Sequence, residues 1–359
     1  MSITVDDLLA GPRGRRLCWA HARYCAHDAG RGRFLDLAAA AAWPWDQAQL
    51  VSTHTAPGPV PPTAEVATAL DDVPATVPDD EALLDLLDTA VLTARYWQPP
   101  DGDDVVAAEP ALRPGLARFA AAVAAAPGTA WWSTGLDTDR QRVVRWHDET
   151  GPPPARGSVD PPGALAAQRV ATVDDEARSA RELPDDPAAP YSGPWWSCPA
   201  YELVASTRDL GARGPVGLWF VEDGHGWTRA GVSPVTVSPG ARVTEIDGPD
   251  DWADLCRRHP LEVTAARRHD WYRTTGRAGR WVLPDWTRVA EGTDAVHLTV
   301  RGWLTTAGRA VEVADGVASV LAGWDPDQAY WLTATAWPDG PETPWRRDGT
   351  DGWMPDRRS

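Results

Sequence analysis

The stretch Gly248-Pro-Asp-Asp-Trp-Ala-Asp-Leu-Cys-Arg-Arg-His-Pro260 reads as one complete helix between two prolines. Pro249 suits a first helical position, and Asp250 and Asp251 complement the positive N-terminal end. Arg257 and Arg258 complement the negative C-terminal end, and Pro260 stops the helix. Trp252, Leu255, Cys256 and His259 then fall on one buried stripe. Around this helix the pattern is of strands. Val296, Leu298, Val300 and Leu304 alternate with His297, Thr299, Arg301 and Trp303, which predicts one long strand with an apolar and a polar face. Val216–Val221 is apolar almost throughout and predicts a strand buried on both faces. Glu222–Gly226 reads as a turn, and further strands are expected over Val311–Ala322 and Tyr330–Thr335.

Upstream the period changes. Pro12–Ala26 and Arg33–Trp43 read as helices, and Thr53–Pro62, with four prolines, as a loop. Asp79 suits the cap of a helix running to about Tyr96, with Leu83, Leu87 and Ala94 on one side. Leu112, Leu116, Phe119 and Val123 form a second apolar stripe. The twelve acids and single arginine of residues 60–110 are expected on solvated faces and loops. Trp131–Trp146 suggests two short strands, Gly151–Pro154 with Pro161-Pro162 a linker, and Leu165–Leu183 another helix. The fold class is therefore α+β. Residues 1–130 form a mainly helical part, and 131–189 hold short strands, a proline-rich linker and a helix. Residues 190–336 form the tryptophan-rich α+β domain, and 337–359 a loosely held tail.

Composition narrows the chemistry. The 359 residues carry a formal charge of −17, no lysine and no asparagine. A Walker P-loop, a Schiff-base lysine and a kinase-type lysine are thus excluded, as is a Cys-His-Asn triad. HExxH, GxSxG and CxxC are absent, and no dinucleotide glycine pattern precedes a helix. Four cysteines make a poor disulfide framework, and no segment approaches the ~20 apolar residues of a membrane span. A soluble, cytoplasmic protein with reduced thiols and no general affinity for nucleic acid is expected. Twenty-one tryptophans stand against three phenylalanines, fourteen of them beyond residue 190, and packing is their ordinary use.

Against this acidic background, residues 257–280 hold seven arginines and two acids, a local balance of +5. The run Arg267-Arg268-His269-Asp270-Trp271-Tyr272-Arg273 reads as an anion-binding loop. Arg267, Arg268 and Arg273 would clamp the charge, Trp271 or Tyr272 would stack, and His269 would shape the site or act as acid/base. The structural reading is a surface loop whose arginines pair with the many carboxylates. His297 is the better acid/base candidate on a rigid strand, with Arg301 beside it and Arg208 as a further ligand contact. These residues suggest a small anionic, nucleotide-like or phosphorylated ligand, with or without catalysis; no cofactor is specified. The competing reading is a protein-interaction module that uses exposed tryptophan and arginine.

Two cysteine groupings are expected to be packed. Cys18 and Cys25 lie ~10.5 Å apart along a helix, too far for one zinc ion. Cys256 and His259 fall on a buried face, where a thiol is inert. Ser206-Thr207-Arg208 and the late Glu312 are similar in ingredients to the ADP-ribosyltransferases, whose strand residues hold a nicotinamide dinucleotide. Here the three residues are contiguous, and Ala310 stands where that family has glutamine or glutamate. The resemblance would imply a NAD-using enzyme.

Overall fold

The computed structural model describes residues 2–49, 59–147, 160–224, 226–348 and 352–356. Seven helices form the N-terminal layer: α1 (Val5–Ala10), α2 (Pro12–Asp28), α3 (Gly32–Gln49), α4 (Thr63–Asp71), α5 (Asp80–Leu92), α6 (Gly102–Ala107) and α7 (Arg113–Ala124). Local signals set their ends. The Asp79 side chain accepts a hydrogen bond from the Ala82 N–H, as its sequence position predicts, although α5 stops at Leu92. Leu112, Leu116, Phe119 and Val123 are fully buried.

The acidic run is only partly solvated, contrary to expectation. Arg13 pairs with Asp104, Arg16 reaches Asp101 at 2.5 Å, and Arg23 reaches Asp103 at 2.7 Å. Trp19 Nε1 also donates to Asp103 at 2.8 Å. The basic face of α2 and the acidic start of α6 thus form a buried charged seam. Desolvation offsets much of its Coulomb gain, so it fixes how the helices dock more than it adds stability.

The rest of the chain alternates: β1 (Gln141–Trp146), α8 (Pro161–Glu182), β2 (Ala205–Arg208), β3 (Arg229–Val237), β4 (Val243–Ile246), α9 (Pro249–Arg258), β5 (Pro260–Glu262), α10 (Thr264–Thr275), β6 (Arg280–Pro284), α11 (Trp286–Gly292), β7 (Ala295–Leu298), α12 (Val300–Thr306), β8 (Val311–Ala314), β9 (Val317–Ser319), β10 (Gln328–Trp331), β11 (Ala336–Pro338), β12 (Thr343–Arg347) and β13 (Trp353–Pro355). The large sheet runs β13-β12-β3-β1-β2-β10-β7-β4, with β11 added along β3. Within it β4 and β7 are parallel and the other pairs antiparallel. A smaller sheet runs β5-β6-β9-β8. The architecture is α+β, and one apolar cluster runs without a break from Leu8 and Leu17 through Trp252 and Trp281 to Leu332. Packing accounts for many tryptophans: Trp19, Trp132, Trp252, Trp271, Trp281, Trp303, Trp324 and Trp331 are all fully buried.

Several expectations fail for identifiable reasons. The strand at 296–304 ends at Leu298, because Thr299 accepts the Gly302 N–H at 2.9 Å and caps α12. Val216–Leu218 is a 3-10 turn after Pro215, with the Gly217 N–H bound by Thr207 Oγ1 at 2.9 Å. Of the two strands expected over 131–146, only β1 forms; Thr138–Arg140 is a helical turn opened by the Asp137 side chain. Pro161 and Pro162 start α8 and are not linker, as proline suits a first helical turn. Residues 151–154 and 53–58 lie outside the described residues. The arginine run at 267–273 belongs to α10 and is not a loop. The carboxylate of Glu176 on α8 accepts the Ala265 and Ala266 N–H groups at 2.9 and 2.8 Å, a cap supplied from a distant part of the chain. The segment beyond Trp337 contributes β12 and β13 to the large sheet. Among the described residues no helix is long and apolar enough to cross a membrane.

The junction of β4, β7 and α12 is tight enough to test. A Cβ on Gly302 would lie 2.1 Å from the Ile246 carbonyl oxygen, whereas one on Gly292 meets nothing within 4 Å. Gly302→Ala is expected to lower the free energy of urea unfolding by about 2 kcal/mol or more. Gly292→Ala should leave it unchanged or raise it by up to ~1 kcal/mol.

Candidate functional site

The arginine-rich helix α10 turns its charge toward the protein. Arg267 is buried 3.8 Å from Asp175, Arg268 lies 2.6 Å from Asp185, and Arg273 pairs with Asp270. Burial pushes Arg267 down to about 10 in spite of Asp175, Asp270 and Glu176 nearby. Trp271 is buried, donating from Nε1 to the Trp195 carbonyl at 2.9 Å and packing edge-on to Trp281. His269 is buried with Nδ1 3.4 Å from the Pro187 carbonyl oxygen, and Tyr272 is half-buried on the same helix. A ligand anion here would have to displace carboxylates already in place. The pairing follows from what packs on the helix: α8 and the segment 185–192 present Asp175, Asp185 and Ser192 to it.

His297 lies elsewhere, on β7 in the large sheet, and is fully buried. Its Nδ1 is 2.5 Å from Glu245 of β4, and its Nε2 is 3.4 Å from Asp327. Asp327 accepts the backbone N–H of Arg208 at 3.0 Å and its Nε at 3.3 Å. Arg208 continues to Thr134 and the Gly135 carbonyl, over the ring of Trp131. His297 and Arg208 are therefore brought together, through a shared carboxylate. Arg301 turns away toward Asp247 at 2.6 Å and Asp7 at 3.2 Å, and none of these groups meets Arg268. Burial opposes a charge on His297, but the carboxylates of Asp327 and Glu245 on either side of the ring favour it and push it up to about 9.

The remaining candidates are structural. Cys18, His21, Cys25 and Cys256 are buried, and burial pushes the Cys256 thiol up to about 12. Among the described residues no three histidine, cysteine or acidic side chains are placed to hold a metal ion. Ser206, Thr207 and Arg208 stand on β2 of the large sheet and Glu312 on β8 of the small one, so these ingredients do not share a sheet. Ser206 donates to Gln141 and accepts from Trp331 Nε1.

A cavity of about 940 Å³ opens between α8, the segment 195–202, the turn at 221–223 and the start of β10. Trp195, Trp196, Tyr201, Trp227 and Tyr330 supply its aromatic wall. Asp160, Glu202, Glu222, Asp223 and Asp325 supply carboxylates, and no arginine or histidine lines it among the described residues. Trp227 is held by stacking on Trp146, with ring centres 5.1 Å apart and planes at 10°. Glu222 is nearly buried at the base. Its carboxylate accepts Trp303 Nε1 at 2.6 Å and the N–H groups of Gly323 and Trp324 at 2.6 and 3.1 Å. Burial and the charge of Asp325 push Glu222 up to about 8, against those three donors. Asp325 in turn accepts the Glu222 N–H at 2.8 Å. The sequence reading passed over all of this. Its only trace was the tryptophan excess beyond residue 190, since Glu222 and Asp325 are 103 positions apart and each reads alone as a turn acid.

Comparison with family models, curated proteins and solved structures finds no match to the chain.

Two buried groups give stability a defined dependence on pH. Folding raises His297 from 6.5 to about 9 and Glu222 from 4.5 to about 8. Each contribution is therefore complete below the unfolded value and lost as pH rises through the folded one. The Glu222 window is pH 4.5–8 and the His297 window 6.5–9, so above pH 8 the histidine dominates. Unfolding free energy should fall by on the order of 3 kcal/mol through the His297 window. Urea titrations of His297→Gln should show that the decline above pH 8 has gone while the lower one remains.

Proposed function

We propose that this chain binds a small organic cation, an amine or quaternary ammonium with an apolar body, in the cavity between α8 and the large sheet. The observation that carries the reading is the composition of the lining: five aromatic rings and, besides the raised Glu222, four carboxylates, with no arginine or histidine among the described residues. Aromatic faces attract a cation through their quadrupole, most strongly where water is excluded. Carboxylates add charge-assisted hydrogen bonds to an N–H donor. The volume of about 940 Å³ is that of a small-molecule site. Asp223 is shared with Arg95 at 3.6 Å and Glu222 is held by three donors; Asp325, which accepts the Glu222 N–H at 2.8 Å and Gln328 Nε2 at 3.3 Å, is the carboxylate we take to meet the ligand. The anion site expected at α10 gives way in this reading, because its arginines already face Asp175, Asp185 and Asp270.

Thermal shift and tryptophan fluorescence would test it with benzyltrimethylammonium and benzylamine, using benzyl alcohol and cellobiose as neutral controls. The cations are expected to stabilise the fold by about 2.7 kcal/mol at a hundredfold excess over Kd. Asp325→Asn and Trp196→Ala should each weaken binding about tenfold, a loss of ~1.4 kcal/mol. Equal binding of cellobiose would make the cavity a carbohydrate site, and absence of any cation effect would remove the proposal.

A further inference from the structure

A second cavity, of about 390 Å³, has the opposite character. It lies where the N-terminus of α2, the α5–α6 connection, the end of α10 and the turn after α12 meet, and Arg13, Arg15, Arg95 and Arg309 line it. A smaller cavity of about 160 Å³ adjoins it, shares Arg15 and adds Arg113. Arg13 is neutralised by Asp104, and Arg95 by Asp223. Arg15, Arg113 and Arg309 differ. Among the described residues none of the three has a carboxylate within 4 Å, in a chain of net charge −17. Each instead directs one nitrogen at a backbone carbonyl: Arg15 at Leu9 and Ala10, Arg113 at Leu9, Arg309 at Thr305. Arg15 and Arg113 thereby cap carbonyls at the end of α1 and Arg309 one in α12, and the forks meet no carboxylate among the described residues. The Arg15 Nε is buried without a hydrogen-bond partner. Burial lowers Arg15 from its ordinary value, and Arg113, Arg13 and Arg309 lower it further, against the pull of Asp104. Like charges held together this way repel one another, and an anion between them would relieve that repulsion.

We infer that the arginines around Arg15 form a binding site for the phosphoryl group of a small phosphorylated molecule. Planar forks match the oxygens of a phosphate, and several converging forks suit a dianion better than a single carboxylate. The cavity volume leaves room for a small organic portion. Three acids oppose the arginines: Asp101 and Asp104, engaged by Arg16 and Arg13, and Glu109, which lines both cavities with no cation within 4 Å among the described residues. This site is distinct from the carboxylate-lined cavity, and neither reading depends on the other.

Isothermal titration calorimetry with inorganic phosphate and with glycerol 3-phosphate, at constant ionic strength, would test the inference. One site is expected for each, with glycerol 3-phosphate at least as tight. Arg309→Gln, which removes a fork without touching the end of α1, should weaken both about tenfold, and Glu109→Gln should tighten both several-fold. Benzyltrimethylammonium binding should be unaffected by either change. Absence of phosphate binding by folded wild-type protein, no effect of Arg309→Gln, or equal affinity for succinate would each overturn it.

Discussion

A charged imidazole held between two carboxylates fixes the middle of this protein. His297 has no exposed surface, and it cannot lose either partner without leaving a charge less compensated in the interior. Glu245 ties it to β4, the one parallel neighbour in the large sheet, and Asp327 ties it to the turn before β10. Asp327 adopts a positive φ of 57°, an unusual backbone state that directs its carboxylate at Arg208 of β2 and at the ring. Four segments far apart in sequence are thereby set in one register. The β4–β7 pairing in turn positions the start of α12, where Gly302 closes on the Ile246 carbonyl.

The sequence was legible where the signal was local. The helix at 249–258 carries its own start, stop and buried stripe of Trp252, Leu255 and Cys256, although His259, expected on that stripe, lies just past the helix and is only half-buried. The cap at Asp79 and the apolar stripe of α7 also form as their residues dictate. What could not be read was supplied from a distance. Thr299 looks like one more polar position in an alternating strand until its hydroxyl is seen to cap a helix. The arginine run at 267–273 has neither a capping residue nor a strong stripe, and its helix begins because Glu176, some ninety positions earlier, binds its first N–H groups. The site residues divide in the same way. The meeting of His297 with Arg208 is made by Asp327, which sequence reading did not single out, and the cavity acids come from turns with no shared motif.

Charge is organised by pairing more than by balance. Of the arginines at 257–280, Arg267, Arg268 and Arg280 meet a carboxylate from another element and Arg257 and Arg273 one from their own helix, while the acidic run of α6 meets α2. Because every cationic side chain other than histidine is arginine, these contacts use planar forks that remain charged when buried, a role in which lysine would tend to shed its proton. Among the described residues Arg140, Arg213, Arg258 and Arg277 reach only backbone carbonyls as isolated groups. Charge of one sign gathers in two places: a cavity rich in carboxylate and aromatic side chains, and a cluster of arginines whose forks reach backbone carbonyls.

The position of β12 has a consequence for how the chain is made. Strand β12 covers the Arg229–Val232 half of β3, and β13 lies outside it, so one side of the large sheet is finished by residues made after all of its other strands. Its centre also waits, because β2 finds β10 only across more than a hundred residues of chain. The helical layer, whose contacts are largely among its first 124 residues, can assemble while synthesis continues. A chain truncated before Thr343 would retain that layer and most of the sheet but leave β3 with an unpaired row of N–H and C=O groups, a template on which another such chain could add. Such a truncated chain would be prone to aggregate, although every residue lining the two cavities would still be present.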